Sequence, residues 1–537
     1  MSTPAAEALL DVVRDWGADR LFTCPGSTEA AVLDALVTRK DVELVLTTHE
    51  GVAVSMADGL ARVTRRPSVA YLHANVGLTN GLSHLYAAQL AYSPVVVLNG
   101  LKASSIQARE GFTTGRRMRD LVHQYVKSDW QSLTTEAIAE DVNRAFRTAV
   151  TEPAGPVWVA LSQDLLESPV PVPVPEVHRF DFDSRTLPAP GAVRAAADLL
   201  QSARRPLLVA GSELARVGAV EDLVRLSEQL GAPVVHEDRR GFERPGFPTD
   251  HPHFRGQYEI GHPLVQEADL LVFLGARVFN EFEPARVPPL PAGVPIVHSH
   301  TDPRHVAMVY GVDAGLVGDQ RLVLQALSAA LPPVADREVP PAEPRPRRSP
   351  SASAVLTASD VVDVITESLR GVALVGDATT AGGILQQRAH QSGGDDYFVS
   401  TSGSLGWGMG AALGIQMGMP ERRVAAVLGD GVFQFGTPAL WSAARSGLPV
   451  TYVVINNQRY AAVGAALRRF GGLAVERGDF PGIDISGPDI AAISTGFGVP
   501  GTRVDTLADL RESLAAARTV DHPTLVEVMT DPAHFGP

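Results

Sequence analysis

Two short stretches near the C-terminus carry residue types fit for chemistry. Gly429-Asp430-Gly431 closes the apolar run Val424 to Leu428, and Asn456-Asn457 closes the run Val450 to Ile455. Each reads as the carboxyl end of a buried parallel strand, with a helix through Pro438 to Ser446 joining them. The 24 residues between Gly431 and Asn456 suffice for one strand-helix-strand crossover. A carboxylate and a carboxamide are thereby set side by side at the end of a sheet. Such oxygen ligands, with a backbone carbonyl from the turn after Asn457, suit a hard ion such as Mg²⁺ that keeps sites for phosphate oxygens. The flanking glycines let the backbone approach those phosphates, and the following helix start offers free N–H groups. The arrangement is a candidate diphosphate anchor.

The elements that must position this anchor repeat along the chain. A helical pattern at 5–15 leads to a strand at Arg20 to Thr23 that opens into Cys24-Pro25-Gly26-Ser27-Thr28-Glu29. Further strands are expected at Val42 to Thr47, ending at His49-Glu50-Gly51, and at Ser68 to Leu72, ending at His73. A small-residue helix is expected over Val52 to Ala61, with more strands at Ser93 to Leu98 and Val157 to Ala160. Polar residues thus gather after the strand ends, where doubly wound sheets hold their sites. Val170 to Pro175 alternates valine with proline and is read as a linker that holds no sheet ladder. A second set of strands is expected at Leu207 to Ala210, Val234 to His236, Leu270 to Leu274 and Pro295 to Ser299. Pro332 to Pro350, rich in proline and charge, reads as a second linker. A third set follows at Val372 to Val375, Arg423 to Leu428, Thr451 to Ile455 and Thr524 to Val528.

A chain of 537 residues exceeds one core, and three α/β domains are expected: 1–168, 187–330 and 355–537, with linkers 169–186 and 331–354. The net charge of -14, unrelieved by any basic tract, argues against a nucleic-acid partner. No apolar span of membrane length occurs, and a single cysteine permits no intrachain disulfide. A cytoplasmic protein without membrane attachment is the expectation.

Gly429-Asp430-Gly431, its spacer and Asn456-Asn457 together resemble the signature of thiamine-diphosphate-dependent enzymes. Within it, Ala439-Leu440-Trp441-Ser442-Ala443-Ala444 and Asn456-Asn457-Gln458-Arg459-Tyr460 are most similar to the benzoylformate decarboxylase group, and the three-domain order also resembles acetolactate synthases. The resemblance implies three doubly wound parallel-sheet domains for pyrimidine binding, a middle domain, and diphosphate and Mg²⁺ binding. It implies thiamine diphosphate and Mg²⁺ as cofactors, and Asp430, Asn457 and the backbone carbonyl of Arg459 as metal ligands. Glu50 matches the glutamate that activates the aminopyrimidine, Leu405 the bulky residue under the folded cofactor, and Gly403 the carbonyl facing its amino group. Asp377, Thr379 and Thr380 match a polar run near the diphosphate, although each could instead cap a helix. Gly431 would present its N–H to a phosphate oxygen, and Tyr460 would line the cofactor pocket. Ser27 matches a serine that contacts the substrate carboxylate, and His73 an active-site histidine suited to proton transfer.

The resemblance implies decarboxylation of a 2-oxo acid to an aldehyde through an enamine, in sites shared between subunits of a homodimer or homotetramer. It breaks at Phe282, which stands where the benzoylformate decarboxylase group has a second catalytic histidine. A phenyl ring transfers no proton, and a one-residue slip would bring Glu281 or Asn280 there instead. Carboligation with an acceptor aldehyde or ketone is therefore the alternative. Arg109, Arg116, Arg117 and Arg119 could favour an acidic substrate or form a solvated surface cluster, and the sequence leaves FAD binding open.

Overall fold

The computed structural model describes residues 2–279, 288–332, 337, 339–341 and 355–531. Among these residues there are three six-stranded sheets of the parallel α/β kind expected. Their central strands are short, nearly continuous apolar runs, as burial on both faces requires. Phe282, Asn280 and Glu281 lie outside the described residues, as does most of the 331–354 linker.

By packing, the chain divides into two units. The first holds Met1–Asp183, Asp377–Thr380 and the described residues from Ser402; the second holds Ser184–Gly376 and Ala381–Thr401.

In the first unit, one sheet runs in the order Glu43–Leu46, Arg20–Cys24, Ser68–His73, Val95–Leu101, Val157–Ser162, Ser128–Gln131, all parallel. The same unit carries the parallel strands Val424–Gly429, Val450–Asn456, Thr524–Met529 and Gly501–Val504, neighbours in that order. Two helices, Glu50–Thr64 and Trp407–Gly418, pack backbone to backbone between these layers. A Cβ on Gly59 would stand 2.3 Å from the Ala411 carbonyl oxygen, and one on Gly414 would stand 1.9 Å from that of Met56. Only glycine permits this approach. The contact is locked by the buried Asp58, which accepts from Trp407 Nε1 at 2.7 Å and from Arg62 Nε at 2.9 Å.

In the second unit, the parallel order is Phe254–Gln257, Val234–His236, Pro206–Ala210, Leu270–Leu274, Ile296–His300, Ala314–Val317. The unit also holds the parallel pair formed by residues 373–376 and Tyr397–Val399.

Three expectations need correction. Val172–Pro173 does form a ladder, pairing antiparallel with Ser2–Thr3. Proline is tolerated because this two-stranded pair is all edge, so a missing N–H interrupts nothing beyond it. The small-residue helix begins at Glu50 and runs to Thr64, since His49 rather than Glu50 caps it. The crossover after Gly429 holds two helices, Asp430–Gly436 and Ala439–Ser446, split at Thr437-Pro438. The short edge strands Ser128–Gln131, Phe254–Gln257 and Gly501–Val504, which have no strong apolar pattern, and Tyr397–Val399, an apolar run of three residues, were not expected from the sequence.

Candidate active site

The strand pair Ser68–His73 and Val95–Leu101 sets His73 opposite Gly100, at the carboxyl edge of the first sheet. His73 then caps the helix Ala74–Leu90 with extended backbone. Along that helix His73, Gly77, Asn80 and His84 recur every three or four residues and so share one face. Glu50 meets this face. Its carboxylate is buried and accepts from Asn80 Nδ2 at 3.0 Å. A Cβ at Gly77 would stand 3.2 Å from Glu50 Oε1 and 3.6 Å from His73 Cβ, so Gly77 is the gap between the two.

Helix capping is not the task of the Glu50 carboxylate. His49 Nδ1 accepts from the Gly51 N–H at 3.0 Å and supplies the cap. His84 fastens the same turn from the other side, with Nδ1 2.7 Å from the Gly51 carbonyl oxygen and Nε2 3.5 Å from that of Leu405. Burial lowers the His84 pKa, opposed by the Gly51 and Leu405 carbonyl oxygens.

His73 is held from the loop after the first strand. Its Nδ1 lies 3.0 Å from Glu29 Oε2 and 2.8 Å from Thr28 Oγ1. Glu29 is fully buried and also accepts from Thr28 Oγ1 at 2.5 Å and from the Gly26 N–H at 2.7 Å. A carboxylate on Nδ1 fixes the tautomer that carries its proton there and leaves Nε2 as the exchanging nitrogen. Ser27, next to Thr28, is exposed and accepts from Lys102 Nζ at 2.8 Å. Cys24, at the end of the strand beneath, has its thiol pushed up by burial and by the charges of Glu50 and Glu29.

Asp430, Asn456 and Asn457 stand at the ends of paired strands, with Gly429 opposite Ile455. Asn456 is structural: its Nδ2 donates to the buried Glu527 at 2.7 Å, and its Oδ1 accepts from the Gln458 N–H at 2.9 Å. Asn457 Oδ1 accepts from the Arg459 N–H at 3.1 Å. Gln458, at φ 59°, turns the chain between them. Asp430 Oδ1 accepts from Gly431 N–H at 2.8 Å, while Oδ2 is buried with no hydrogen-bond partner. Burial raises the Asp430 pKa, against the N–H groups of Gly431, Gln458 and Arg459. An unpartnered carboxylate oxygen beside a carboxamide with a lone pair to spare is a donor set that fits Mg²⁺. Among the described residues no group of three His, Cys, Asp or Glu side chains could hold a metal, so carboxamide and backbone oxygens would have to complete the set. The Tyr460 ring lies over Gly431, where a Cβ would come within 2.7 Å of it.

The other expected residues fall as follows. Gly403 and Gly406 both adopt positive φ, 71° and 86°, bending the chain around Leu405 before the helix Trp407–Gly418. Asp377 Oδ2 accepts from the Gly408 N–H at 2.9 Å in the first turn of that helix, the capping task left open by the sequence. Burial pushes its pKa up to about 7, partly opposed by the Gly408 and Gly406 N–H groups. Thr379 is exposed and Thr380 half-buried in the turn that follows. Three of the four arginines are neutralised locally: Arg116 by Glu110, Arg117 by Asp120 at 2.5 Å, and Arg119 by Asp129 at 2.8 Å. The solvated-cluster reading of that loop therefore fits better than a field aimed at substrate.

Sequence reasoning missed Glu29, Thr28, Asn80, His84 and Lys102. For His84 and Asn80 the signal was present in their helical spacing from His73. For Glu29 and Lys102 there was none, because their partners are 44 and 75 residues away.

Residues 3–120, 193–327 and 377–528 match, in turn, the N-terminal TPP binding domain, the central domain and the C-terminal TPP binding domain of thiamine pyrophosphate enzymes. The chain is 32% identical over 528 residues to benzoylformate decarboxylase of Pseudomonas aeruginosa, covering 97% of this chain and 98% of that one. It is 25% identical over 570 residues to a probable acetolactate synthase large subunit of Methanocaldococcus jannaschii, covering 99% and 93%. The crystal structure of benzoylformate decarboxylase from Polynucleobacter necessarius superposes with a TM-score of 0.91 at 27% identity, covering 99% of each chain.

Proposed function

The chain belongs to the thiamine pyrophosphate enzyme family, and from that premise we propose that it decarboxylates a 2-oxo acid to an aldehyde, using thiamine diphosphate and Mg²⁺. Chemistry on 2-oxo acids is common to its benzoylformate decarboxylase and acetolactate synthase relatives; the choice of decarboxylation is the finer reading. The observation that carries it is the grouping at Gly77, where Glu50 and His73 flank one gap and each is held by its own hydrogen-bonding partner.

When bound, thiamine diphosphate supplies the carbon nucleophile and the electron sink for loss of carbon dioxide. Glu50, held by Asn80, would hold and release a proton at the aminopyrimidine. His73 Nε2 would move a proton at the substrate oxygen or carbon while Glu29 steadies the ring. Ser27 would orient the substrate through its hydroxyl. Asp430, Asn457 and the Arg459 carbonyl would hold Mg²⁺, with Gly431 and Tyr460 beside them. Leu405 and Gly403 would meet the cofactor's pyrimidine side, and Asp377, Thr379 and Thr380 its diphosphate side. We place these roles on domains 1–168, 187–330 and 355–537, in a homodimer or homotetramer with Glu50 and Asp430 of one site on different chains.

Phe282 favours a second reading. With no imidazole at that position to deliver the product proton, an acceptor carbonyl could capture the carbon instead, making a carboligase. Product analysis of the holoenzyme decides. Benzoylformate and pyruvate are each supplied alone and then with an acceptor aldehyde. Aldehyde release without acceptor supports decarboxylation; carbon dioxide release that depends on acceptor supports ligation; consumption of no 2-oxo acid overturns both. Mixing Glu50→Gln with Asp430→Asn protein tests the shared site, since random hybrid dimers restore roughly a quarter of activity only if the two residues act across subunits.

A further inference from the structure

Lys102 follows the strand Val95–Leu101 directly, at the same sheet edge as His73. Its ammonium donates to Ser27 Oγ at 2.8 Å, and among the described residues no carboxylate lies within ion-pair distance of it. Neither Glu29 nor Asp164, the nearby acids, serves it. Glu29 is taken by Thr28, His73 and Gly26, and Asp164 accepts from the Ser104 N–H at 2.9 Å and from its hydroxyl. Gln107 Nε2 donates to the Lys102 carbonyl at 2.7 Å and so fixes the backbone beneath the side chain. Lys102 is half-buried and, among the described residues, its ammonium has a hydroxyl as its one side-chain partner; such a pair is a ready anion site, two donors wide.

Which carboxylate it suits follows from charge. A carboxylate that leaves as carbon dioxide loses its negative charge on the way to the transition state. An ammonium held against it would stabilise the ground state more and slow the reaction. A carboxylate that survives into the product keeps its charge throughout, so the same ammonium binds it without that cost.

Resting on the reading of this site as one for 2-oxo acids, we propose that Lys102 and Ser27 form a clamp for a carboxylate retained in the product, in place of the departing carboxylate that the resemblance alone implies for Ser27. Two sources share that chemistry: the second carboxylate of a dicarboxylic 2-oxo acid, and the carboxylate of an acceptor acid in carboligation. Either way Lys102 determines substrate specificity.

The test compares wild type with Lys102→Met and Lys102→Arg, as holoenzymes. One arm measures kcat and KM for 2-oxoglutarate and for benzoylformate. A second supplies benzoylformate as donor with pyruvate or acetaldehyde as acceptor. A third titrates glutarate and butyrate by calorimetry, which needs no turnover. Lys102→Met should weaken glutarate relative to butyrate by roughly 10- to 100-fold, the worth of a charge-assisted hydrogen bond, with Lys102→Arg recovering part of it. The kinetic loss should appear in KM. Loss confined to 2-oxoglutarate identifies the donor's second carboxylate, and loss confined to pyruvate as acceptor identifies the acceptor's. Equal losses on all acids would mean that Lys102 holds the departing carboxylate, and unaltered glutarate binding would mean that it holds none; either overturns the clamp. An enzyme that consumes no 2-oxo acid defeats the proposed function separately, and the glutarate titration still decides Lys102.

Discussion

Around Gly77 the side chains with chemistry to do already have partners: Asn80 on Glu50, Glu29 and Thr28 on His73, Lys102 on Ser27. At the ends of Val424–Gly429 and Val450–Asn456 the asparagines are partnered too, but Asp430 Oδ2 is buried with nothing to accept from. The first region is built to position groups that must act with a fixed geometry. The second keeps a buried carboxylate oxygen without a hydrogen-bond partner, at the place proposed for the cation. Preorganisation at one end and an open valence at the other are what a site needs if it is to be completed by a cofactor.

The largest expected effect breaks the open end. Asp430→Asn should lower activity by about 10³-fold or more through loss of metal binding. The same change should raise the melting temperature of the cofactor-free protein by about 1 to 2 °C, since about 1 kcal/mol of unmet buried charge is removed. Calorimetric scans with and without thiamine diphosphate and Mg²⁺ check both halves. A variant that loses stability in both conditions would show that Asp430 is a structural residue.

At the finished end, Glu50→Gln should cost about 10²- to 10³-fold in kcat while cofactor affinity is largely kept. Stopped-flow kinetics and fluorescence titration of the cofactor separate the two. A milder effect is expected one bond further out. Glu29→Gln should lower kcat by roughly 10-fold with KM little changed, because His73 loses the carboxylate that fixes its tautomer. A pH profile of kcat that keeps its shape would argue against this positioning role.

A separate effect, on stability and not on catalysis, concerns Asp377. Its pKa is raised in the folded protein, to about 7, above the ordinary carboxylate value of 3.8. The folded state therefore holds a proton that the unfolded state has released, and stability falls as pH rises between those two values. Asp377→Asn should flatten that fall, measured as denaturation midpoint against pH from 4 to 8.

The long apolar strands and the two anchor motifs were legible because each is contiguous. Val450–Asn456 is an unbroken buried run, and Asp430 and Asn457 follow directly from where two such runs end. Glu50 and His73 were singled out in the same way, as polar residues at or just past strand ends. Short edge strands such as Gly501–Val504 were not, since a half-exposed strand of four residues has no period to read. The helix boundary at Glu50 depended on an imidazole cap, a role that histidine rarely advertises.

The sequence by itself determined the three parallel sheets, the strand ends that carry the site, and the pairing of a carboxylate with a carboxamide at one of them. Local pattern suffices for these, because burial of a strand and the turn that follows it are properties of neighbouring residues. Only the tertiary structure decided what each functional group touches: that Asn80 holds Glu50, that Glu29 holds His73 across 44 residues, that Lys102 reaches Ser27 across 75, and that Asp430 is left with an oxygen to give. Those contacts join distant points of the chain at a sheet edge, and register between strands, which no single stretch encodes, sets them.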